Sequence, residues 1–180
     1  MSAMPTLKTE RLILRPFILD DAKDVQRLAG NFFIAKTTLT IPHPYEDGMA
    51  EEWIGIHQKD YEEGTQIIFA IVSQENNQLL GAIGLSSIKQ EFENAEMGYW
   101  IGKEFWNKGY CTEAARVVLK YGFEELGLNR IHANHFGSNP VSGKIMQKIG
   151  MTYEGCMRQH IKKWDKFEDA VLYGILKIEF

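Results

Sequence analysis

A short loop between a predicted strand and a predicted helix constrains this chain more than any other stretch. Residues 95–101 are typical of a strand, and beyond the loop apolar side chains recur every three or four residues, as in a helix that packs on a sheet. The first N–H groups of such a helix have no partner within it and favour a bound anion. Gly109 permits close approach, and Lys108 adds a cation. The sequence therefore predicts a diphosphate-binding loop at 106–112.

Glycine spacing separates this loop from two common phosphate-binding motifs. The Walker spacing Gly-x-x-x-x-Gly-Lys-Ser/Thr and the dinucleotide fingerprint Gly-x-Gly-x-x-Gly are both absent from the sequence. On spacing alone, an ordinary strand-to-helix turn that binds nothing is an equal alternative.

A family resemblance favours the ligand interpretation. The run 95–115, AEMGYWIGKEFWNKGYCTEAA, resembles the acetyl-CoA site of the GNAT superfamily of N-acetyltransferases, and more narrowly the branch that acetylates the N-termini of ribosomal proteins. The loop pattern of that family, Gln/Arg-x-x-Gly-x-Gly/Ala, falls on residues 106–111, with Trp106 at the polar first position and Cys111 in place of a glycine or alanine. The run TERLILRP at 9–16 is similar to the opening strand of the same branch. The resemblance implies that acetyl-CoA binds at Lys108, Gly109, Tyr110, Cys111 and Thr112.

Hydrophobic periodicity and turn residues predict a mixed α+β chain with a mostly antiparallel sheet. Strands are expected at 7–17, 66–72, 79–86, 94–101 and 130–136 and as a final pair within 151–177, with helices at 21–29, 46–63, within 113–126 and at 139–150. The length favours a single domain, 1–180.

The resemblance covers residues 7–176 and implies the GNAT acyl-CoA N-acyltransferase fold, with helices on both faces of the sheet. It also implies that the strands before and after the cofactor helix run parallel and splay apart. The pantetheine arm would then pair with Met97, Gly98 and Tyr99 on one side and with Asn134 and Phe136 on the other.

Acetylation of an amine needs a neutral amine, a donor for the developing oxyanion and a proton for the departing thiolate. Glu96 is the first candidate base because it lies beside the loop on a largely apolar strand, at an acidic position of the family; Glu154 is the second. A surface carboxylate in a salt bridge is an equal alternative for Glu96. The backbone N–H of Met97 or Tyr99 is the candidate oxyanion donor.

The motif Asn139-Pro-Val-Ser142 matches the Asn-x-x-Ser with which the second cofactor helix of the family begins. Asn139 is predicted to cap this helix and, by the resemblance, to bind the pantetheine arm, while Ser142 would protonate the sulfur. Many relatives use a tyrosine in this helix, and here the helix has none, so a plain helix serine is the alternative.

Residues 31–64 border the acceptor cleft in the family, and five aromatic or imidazole side chains there are candidates to line it: Phe32, Phe33, His43, Tyr45 and Trp53. The alternative is that most of them pack beneath the helices. A cluster of acidic residues at Glu46, Asp47, Glu51 and Glu52 would favour a cationic small-molecule acceptor.

Charge and composition exclude several other classes of protein. A net charge of −4 argues against general nucleic-acid binding, and no apolar run is long enough to span a bilayer. Two cysteines without metal or CxxC spacing suggest free thiols and a cytoplasmic location. His132 and His135 fall on opposite sides of a strand, and no metal site is predicted.

The resemblance implies direct transfer of an acetyl group from acetyl-CoA to a primary amine, and more narrowly to the N-terminal α-amine of a protein. An α-amine with a pKa of about 8 is partly neutral near pH 7, whereas a lysine amine with a pKa of about 10 is mostly charged, so the α-amine needs a weaker base. Acetylation of a polyamine or aminoglycoside, and a catalytically silent CoA-binding module, are the alternatives. Homodimer formation is left open.

Overall fold

The computed structural model describes residues 3–180. These residues form one eight-stranded sheet in the order β1-β2-β3-β4-β5-β6-β8-β7. The strands are β1 (Leu7–Lys8), β2 (Leu12–Arg15), β3 (Ile67–Ser73), β4 (Leu79–Lys89), β5 (Asn94–Ile101), β6 (Arg130–Phe136), β7 (Thr152–Lys163) and β8 (Lys166–Leu176). All neighbouring strands are antiparallel except β5 and β6, which are parallel.

Helices cover both faces of the sheet. They are α1 (Ala22–Ala29), α2 (Phe32–Ala35), α3 (Met49–Glu62), α4 (Tyr110–Glu124) and α5 (Pro140–Lys148). Five consecutive residues of β3, 69–73, and seven of β4, 79–85, are buried, which requires cover on both faces because successive side chains alternate. A β-carbon on Gly122 of α4 would touch Leu85 and Ile131, and one on Gly143 of α5 would touch His135. Helices α4 and α5 therefore share one face, while α1 and α3 pack together on the other.

The sheet opens between its two parallel strands. Pairing of β5 with β6 runs from Asn94 opposite Arg130 to Glu96 opposite His132 and then stops. Strand β5 nevertheless stays paired with β4 as far as Ile101, so the separation beyond Glu96 occurs on the β6 side alone. We call the space between the two strands beyond Glu96 the splay gap. The predicted GNAT fold with diverging central strands is confirmed.

Local details differ from the predictions at three places. The strand predicted at 7–17 is two short strands joined by a turn at 9–11. The loop predicted after residue 31 contains α2, which Asn31 caps through a 2.9 Å bond accepted from the N–H of Phe33. Asn139 was predicted to cap α5, but its side chain makes no capping bond. Of the described helices, none has the length and apolar character needed to cross a membrane.

Candidate functional site

The loop between β5 and α4 is shaped by two residues with left-handed backbone angles. Asn107 has φ 61° and Gly109 has φ 79°, and Gly109 is the N-cap residue of α4. Trp106 fixes the start of the loop, because its indole N–H donates to the carbonyl of Ile101 at 2.7 Å. The tryptophan that replaces a polar residue of the family pattern therefore ties the loop to the end of β5.

The first turn of α4 leaves backbone N–H groups free. The first bond of the helix runs from the N–H of Glu113 to the carbonyl of Gly109 at 3.1 Å, and no side chain caps the helix. The amides of Tyr110, Cys111 and Thr112 therefore have no helical partner and form a cradle for an anion. Lys108 and Gly109 are exposed at its rim. These residues fit a diphosphate group.

The cysteine of the loop is not a candidate nucleophile. Cys111 is 9% exposed, and burial raises the pKa of its thiol well above the ordinary value. A thiol acts as a nucleophile only as a thiolate, so Cys111 is a small packing residue here.

A polar network braces the loop from the neighbouring turn at 9–11. Glu113 accepts bonds from the hydroxyl of Thr9 at 2.6 Å, from the N–H of Arg11 at 2.9 Å and from the Nε of Arg11 at 2.7 Å. Arg11 also donates to the carbonyl of Lys108 at 3.0 Å, and its guanidinium lies over the ring of Tyr110. Sequence reasoning missed this network because its partners are about a hundred residues apart.

The register assigns the residues of the splay gap to its two faces. Met97 and Tyr99 pair with Leu85 and Ile83, which lie on the face that α4 covers. Glu96 and Gly98 alternate with them and lie on the opposite face. The two candidate catalytic residues, Glu96 on β5 and Ser142 on α5, are therefore on opposite faces of the sheet.

Glu96 lies where the splay gap begins. Its Oε1 accepts a hydrogen bond from the side-chain amide of Asn134 at 2.6 Å, so the pair joins β5 to β6 on that face. His132 is directly opposite Glu96 in the register. Burial lowers the pKa of His132, and this exceeds the opposing effect of Glu96, so the ring is neutral near pH 7. From the sequence, His132 was assessed only as a metal ligand. Its position opposite Glu96 depends on the pairing of β5 with β6, which the sequence does not specify.

Glu154 is occupied by a structural ion pair. Both of its oxygens accept from Arg130 at 2.5 Å. The hydrogen bonds from Arg130 lower the pKa of this carboxyl, which weakens it as a base. Glu96 is thus the better placed of the two carboxylates that the sequence nominated.

Ser142 is held by a tyrosine from the opposite side of the gap. The hydroxyl of Tyr99 lies 3.0 Å from Ser142 Oγ and 3.1 Å from the Ser142 carbonyl, to which it donates. Burial strongly raises the pKa of Tyr99, so the phenol stays protonated. The helix that lacks a tyrosine of its own therefore receives a phenol from β5. Asn139 is half-buried, and Phe136 is buried at the end of β6.

A group of exposed rings lies at the open end of the splay gap. Phe32 stacks on Trp164 with ring centroids 5.7 Å apart and planes 8° apart, and it contacts Phe33 and His43 edge-on. We call these four residues the aromatic wall. Phe32, Phe33 and Trp164 are 47%, 41% and 46% exposed, so large apolar surface is left to contact a partner.

The aromatic wall joins the two sides of the gap. Lys103, two residues beyond the end of β5, lies 3.8 Å from the centroid of the Phe33 ring. The last pair of β6 with β8 joins Phe136 to Ala170, so the β7–β8 turn, which contains Trp164, extends past the end of β6. Lys163 ties this turn to the loop after α2 by donating to the carbonyls of Leu39 at 2.9 Å and Ile41 at 2.7 Å.

The other aromatic candidates pack inside the protein. Trp53 contacts Phe17 and His57, and Tyr45 lies against Gly30. For these two residues the packing alternative describes the structure.

Within residues 3–180, no group of three or more His, Cys, Asp or Glu side chains is arranged to hold a metal ion.

Comparison with known proteins identifies related chains. The family described as the acetyltransferase (GNAT) domain matches residues 11–152. An uncharacterized N-acetyltransferase, p20 of Bacillus licheniformis, is 32% identical over 177 residues, which cover 98% of this chain and 99% of that protein. The putative ribosomal N-acetyltransferase YdaF of Bacillus subtilis is 39% identical over 102 residues, 57% of this chain and 56% of that protein. The crystal structure of a GNAT-family acetyltransferase from Bacillus anthracis superposes with a TM-score of 0.86 at 28% identity, covering 97% of this chain and 100% of that one.

Proposed function

The chain belongs to the GNAT acetyltransferase family, and from that premise we propose that it acetylates the N-terminal α-amine of a protein. It is an acetyl-CoA-dependent acetyltransferase, and acetyl-CoA supplies the activated thioester. The acceptor is the part that we infer. The partial match to a putative ribosomal N-acetyltransferase supports a ribosomal acceptor, and the resemblance of the run 95–115 favours its N-terminal α-amine.

The observation that carries the acceptor proposal is the aromatic wall. Exposed phenyl and indole faces at the open end of the splay gap offer a surface on which residues of a polypeptide pack. Trp164 takes a left-handed φ of 52°, a costly conformation for a bulky residue, and this conformation accompanies its stacking on Phe32.

Charge around the aromatic wall supports the same acceptor. Lys36 and Lys103 lie over the ring of Phe33, and Lys163 lies over Trp164. A polyamine would meet the exposed ammonium groups of Lys36 and Lys103, whereas Lys163 is buried. Of the acidic residues that would favour a polyamine, Asp47 already accepts a bond from Gln26 at 2.8 Å.

The proposed roles of the site residues follow from their faces. Glu96, oriented by Asn134, takes the proton of the acceptor amine on the face of α1 and α3. Ser142, held by Tyr99, donates a proton to the departing sulfur on the face of α4 and α5. The free amides of α4, with Lys108 and Gly109, hold the diphosphate, while Asn139, Asn134, Phe136 and residues 97–99 line the path of the pantetheine arm.

Thiol release from acetyl-CoA over a panel of acceptors tests the proposal. Peptides with a free N-terminus should be better substrates than the same peptides with a blocked N-terminus and an internal lysine, and better than spermidine. Mass spectrometry of the products should place the acetyl group on the α-amine. A preference for spermidine would reject the α-amine, and inactivity on every acceptor would favour a CoA-binding module.

A further inference from the structure

We propose that Arg11 is a positioning residue for acetyl-CoA, which acts through Glu113 and the Lys108 carbonyl to hold the diphosphate cradle in its binding conformation. The inference rests on the proposed cofactor site and assigns a task to residues of the opening strand motif, TERLILRP, that the site itself does not use. Arg11 supports the cradle from outside.

The contacts form a continuous brace. The guanidinium of Arg11 grips Glu113 Oε2 with Nη2 at 2.6 Å and Nε at 2.7 Å, and its Nη1 donates to the carbonyl of Lys108 at 3.0 Å. One arginine thus connects both sides of Gly109, the residue whose positive φ turns the chain into α4. Tyr110 lies beneath the guanidinium, with 4.8 Å between Arg11 Cζ and the centroid of the Tyr110 ring.

The brace is anchored in the sheet. Thr9 and Leu12 close the turn between β1 and β2 through the Thr9 N–H to the Leu12 carbonyl at 3.0 Å and the Leu12 N–H to the Thr9 hydroxyl at 3.0 Å. The same hydroxyl donates to Glu113 Oε1 at 2.6 Å. Since Leu12 is fully buried, the support that Arg11 provides comes from a rigid part of the molecule.

Electrostatics give the brace a second effect on the cradle. Burial acts to raise the pKa of Glu113, but the bonds from Thr9 and Arg11 outweigh it, and the pKa lies below its ordinary value. The carboxylate is therefore charged, within the first turn of the helix that would hold a diphosphate. Arg11 neutralises it, and without Arg11 the carboxylate would repel the ligand.

The pair itself is too exposed to stabilise the fold strongly. The side chain of Arg11 is 46% exposed and that of Glu113 is 19% exposed. Ion pairs with such access to water contribute little to global stability. Loss of cofactor binding and loss of folding can therefore be measured separately.

Arg11→Ala is the principal test. We expect KM for acetyl-CoA to rise about tenfold, the scale of one charge-assisted hydrogen bond, with kcat essentially unchanged. Acetyl-pantetheine lacks the nucleotide and its diphosphate, so kcat/KM for this donor should be the same in the wild type and in Arg11→Ala. Arg158→Ala is the matched control, because it removes the same charge from an exposed site on β7.

Calorimetric titration with CoA provides a readout that does not need turnover, and the dissociation constant should rise in Arg11→Ala but not in Arg158→Ala. In the Arg11→Ala background, Glu113→Gln removes the unneutralised carboxylate and should bring KM part of the way back. An equal loss with both acetyl donors, CoA affinity unchanged in Arg11→Ala, or a double variant worse than Arg11→Ala would each overturn the proposal. If instead the wild type binds CoA but acetylates nothing, the proposed function fails, and the calorimetric comparison of Arg11→Ala with the wild type still decides the role of Arg11.

Discussion

Two carboxylates on the same face of the sheet have different environments. Glu96 is held only by the amide of Asn134, whereas both oxygens of Glu154 are engaged by Arg130. If Glu96 takes the proton of the acceptor, Glu96→Gln should lower kcat by about a hundredfold or more. The residual rate should follow the neutral fraction of the acceptor, rising through about pH 8 for an α-amine. Steady-state rates across pH measure both effects.

Glu154→Gln is the matched control for this prediction. It removes a carboxylate of the same size from the same face, and we expect the shape of the pH profile to be unchanged. A wild-type pH profile in Glu96→Gln would remove the assignment of Glu96 as the base.

His57 makes stability depend on pH. It is 5% exposed against Trp53 and Phe17, both of its ring nitrogens lack hydrogen-bond partners, and burial lowers its pKa from 6.5 to about 4. Below pH 6.5, His57 therefore binds a proton more readily in the unfolded chain than in the folded protein. The free energy of unfolding therefore does not change through His57 above pH 6.5, and it falls by roughly 3 kcal/mol as the pH decreases from 6.5 towards 4.

Urea unfolding at pH 7 and pH 4.5 measures this loss. His57→Leu removes the titrating group and should lose less stability on acidification than the wild type does. His160→Leu, at an exposed position on β7, should lose as much stability between pH 7 and pH 4.5 as the wild type does. Identical losses in all three proteins would show that His57 is protonated in the folded state without cost.

At the scale of elements, the β7–β8 turn should act on the acceptor alone. Trp164 stacks on Phe32 of α2, and α2 contacts α1, which lies on the face of the sheet opposite α4. We therefore expect Trp164→Ala to raise KM for an acceptor peptide several-fold, through loss of aromatic packing, and to leave KM for acetyl-CoA unchanged.

Phe167→Ala offers a control on the same hairpin. Phe167 is 61% exposed, and Lys162 lies over its ring, outside the aromatic wall. Equal effects of the two substitutions on KM for the peptide would mean that the hairpin, rather than the wall, contacts the acceptor.

Most helices and strands could be predicted because their periodicity is local. The alternation of β5 and the helical stripe of α4 are properties of single segments, and each agrees with the tertiary contacts. Helix α2 was missed since four residues are too few to show a period. The split of the opening strand depends on Thr9. Its hydroxyl accepts a bond from the N–H of Leu12 and donates to Glu113, so this N–H bonds to a side chain and not to the backbone of a neighbouring strand.

The residues of the candidate site could be named from the sequence only where a single segment contains them. The loop at 106–112 and Glu96 could be named from a continuous motif. The Arg11–Glu113 brace, the Tyr99–Ser142 contact and the register of His132 with Glu96 each join segments that only the sheet brings together. Asn139 shows the reverse error, because the local motif suggests a helix cap that the side chain does not form.

At the scale of the whole molecule, the proposed sites for the two substrates lie on opposite faces of the sheet. The diphosphate cradle belongs to α4, whereas Glu96 and the aromatic wall lie on the side of α1 and α2. The splay gap is where the two sides meet. On this proposal both substrates can be bound at once, and the acceptor can enter before any product leaves.

This arrangement predicts direct transfer with sequential kinetics. Initial rates measured over a grid of acetyl-CoA and acceptor concentrations should give intersecting double-reciprocal lines. Cys111, the thiol of the diphosphate loop, is buried, and burial raises its pKa, which disfavours the thiolate that would carry an acetyl group. Protein incubated with acetyl-CoA alone should therefore show no acetyl adduct on Cys111 when its peptides are mapped by mass spectrometry. Parallel lines together with an adduct mapped to Cys111 would instead require a covalent route, and the separation of the two faces would then have no role in the order of the reaction.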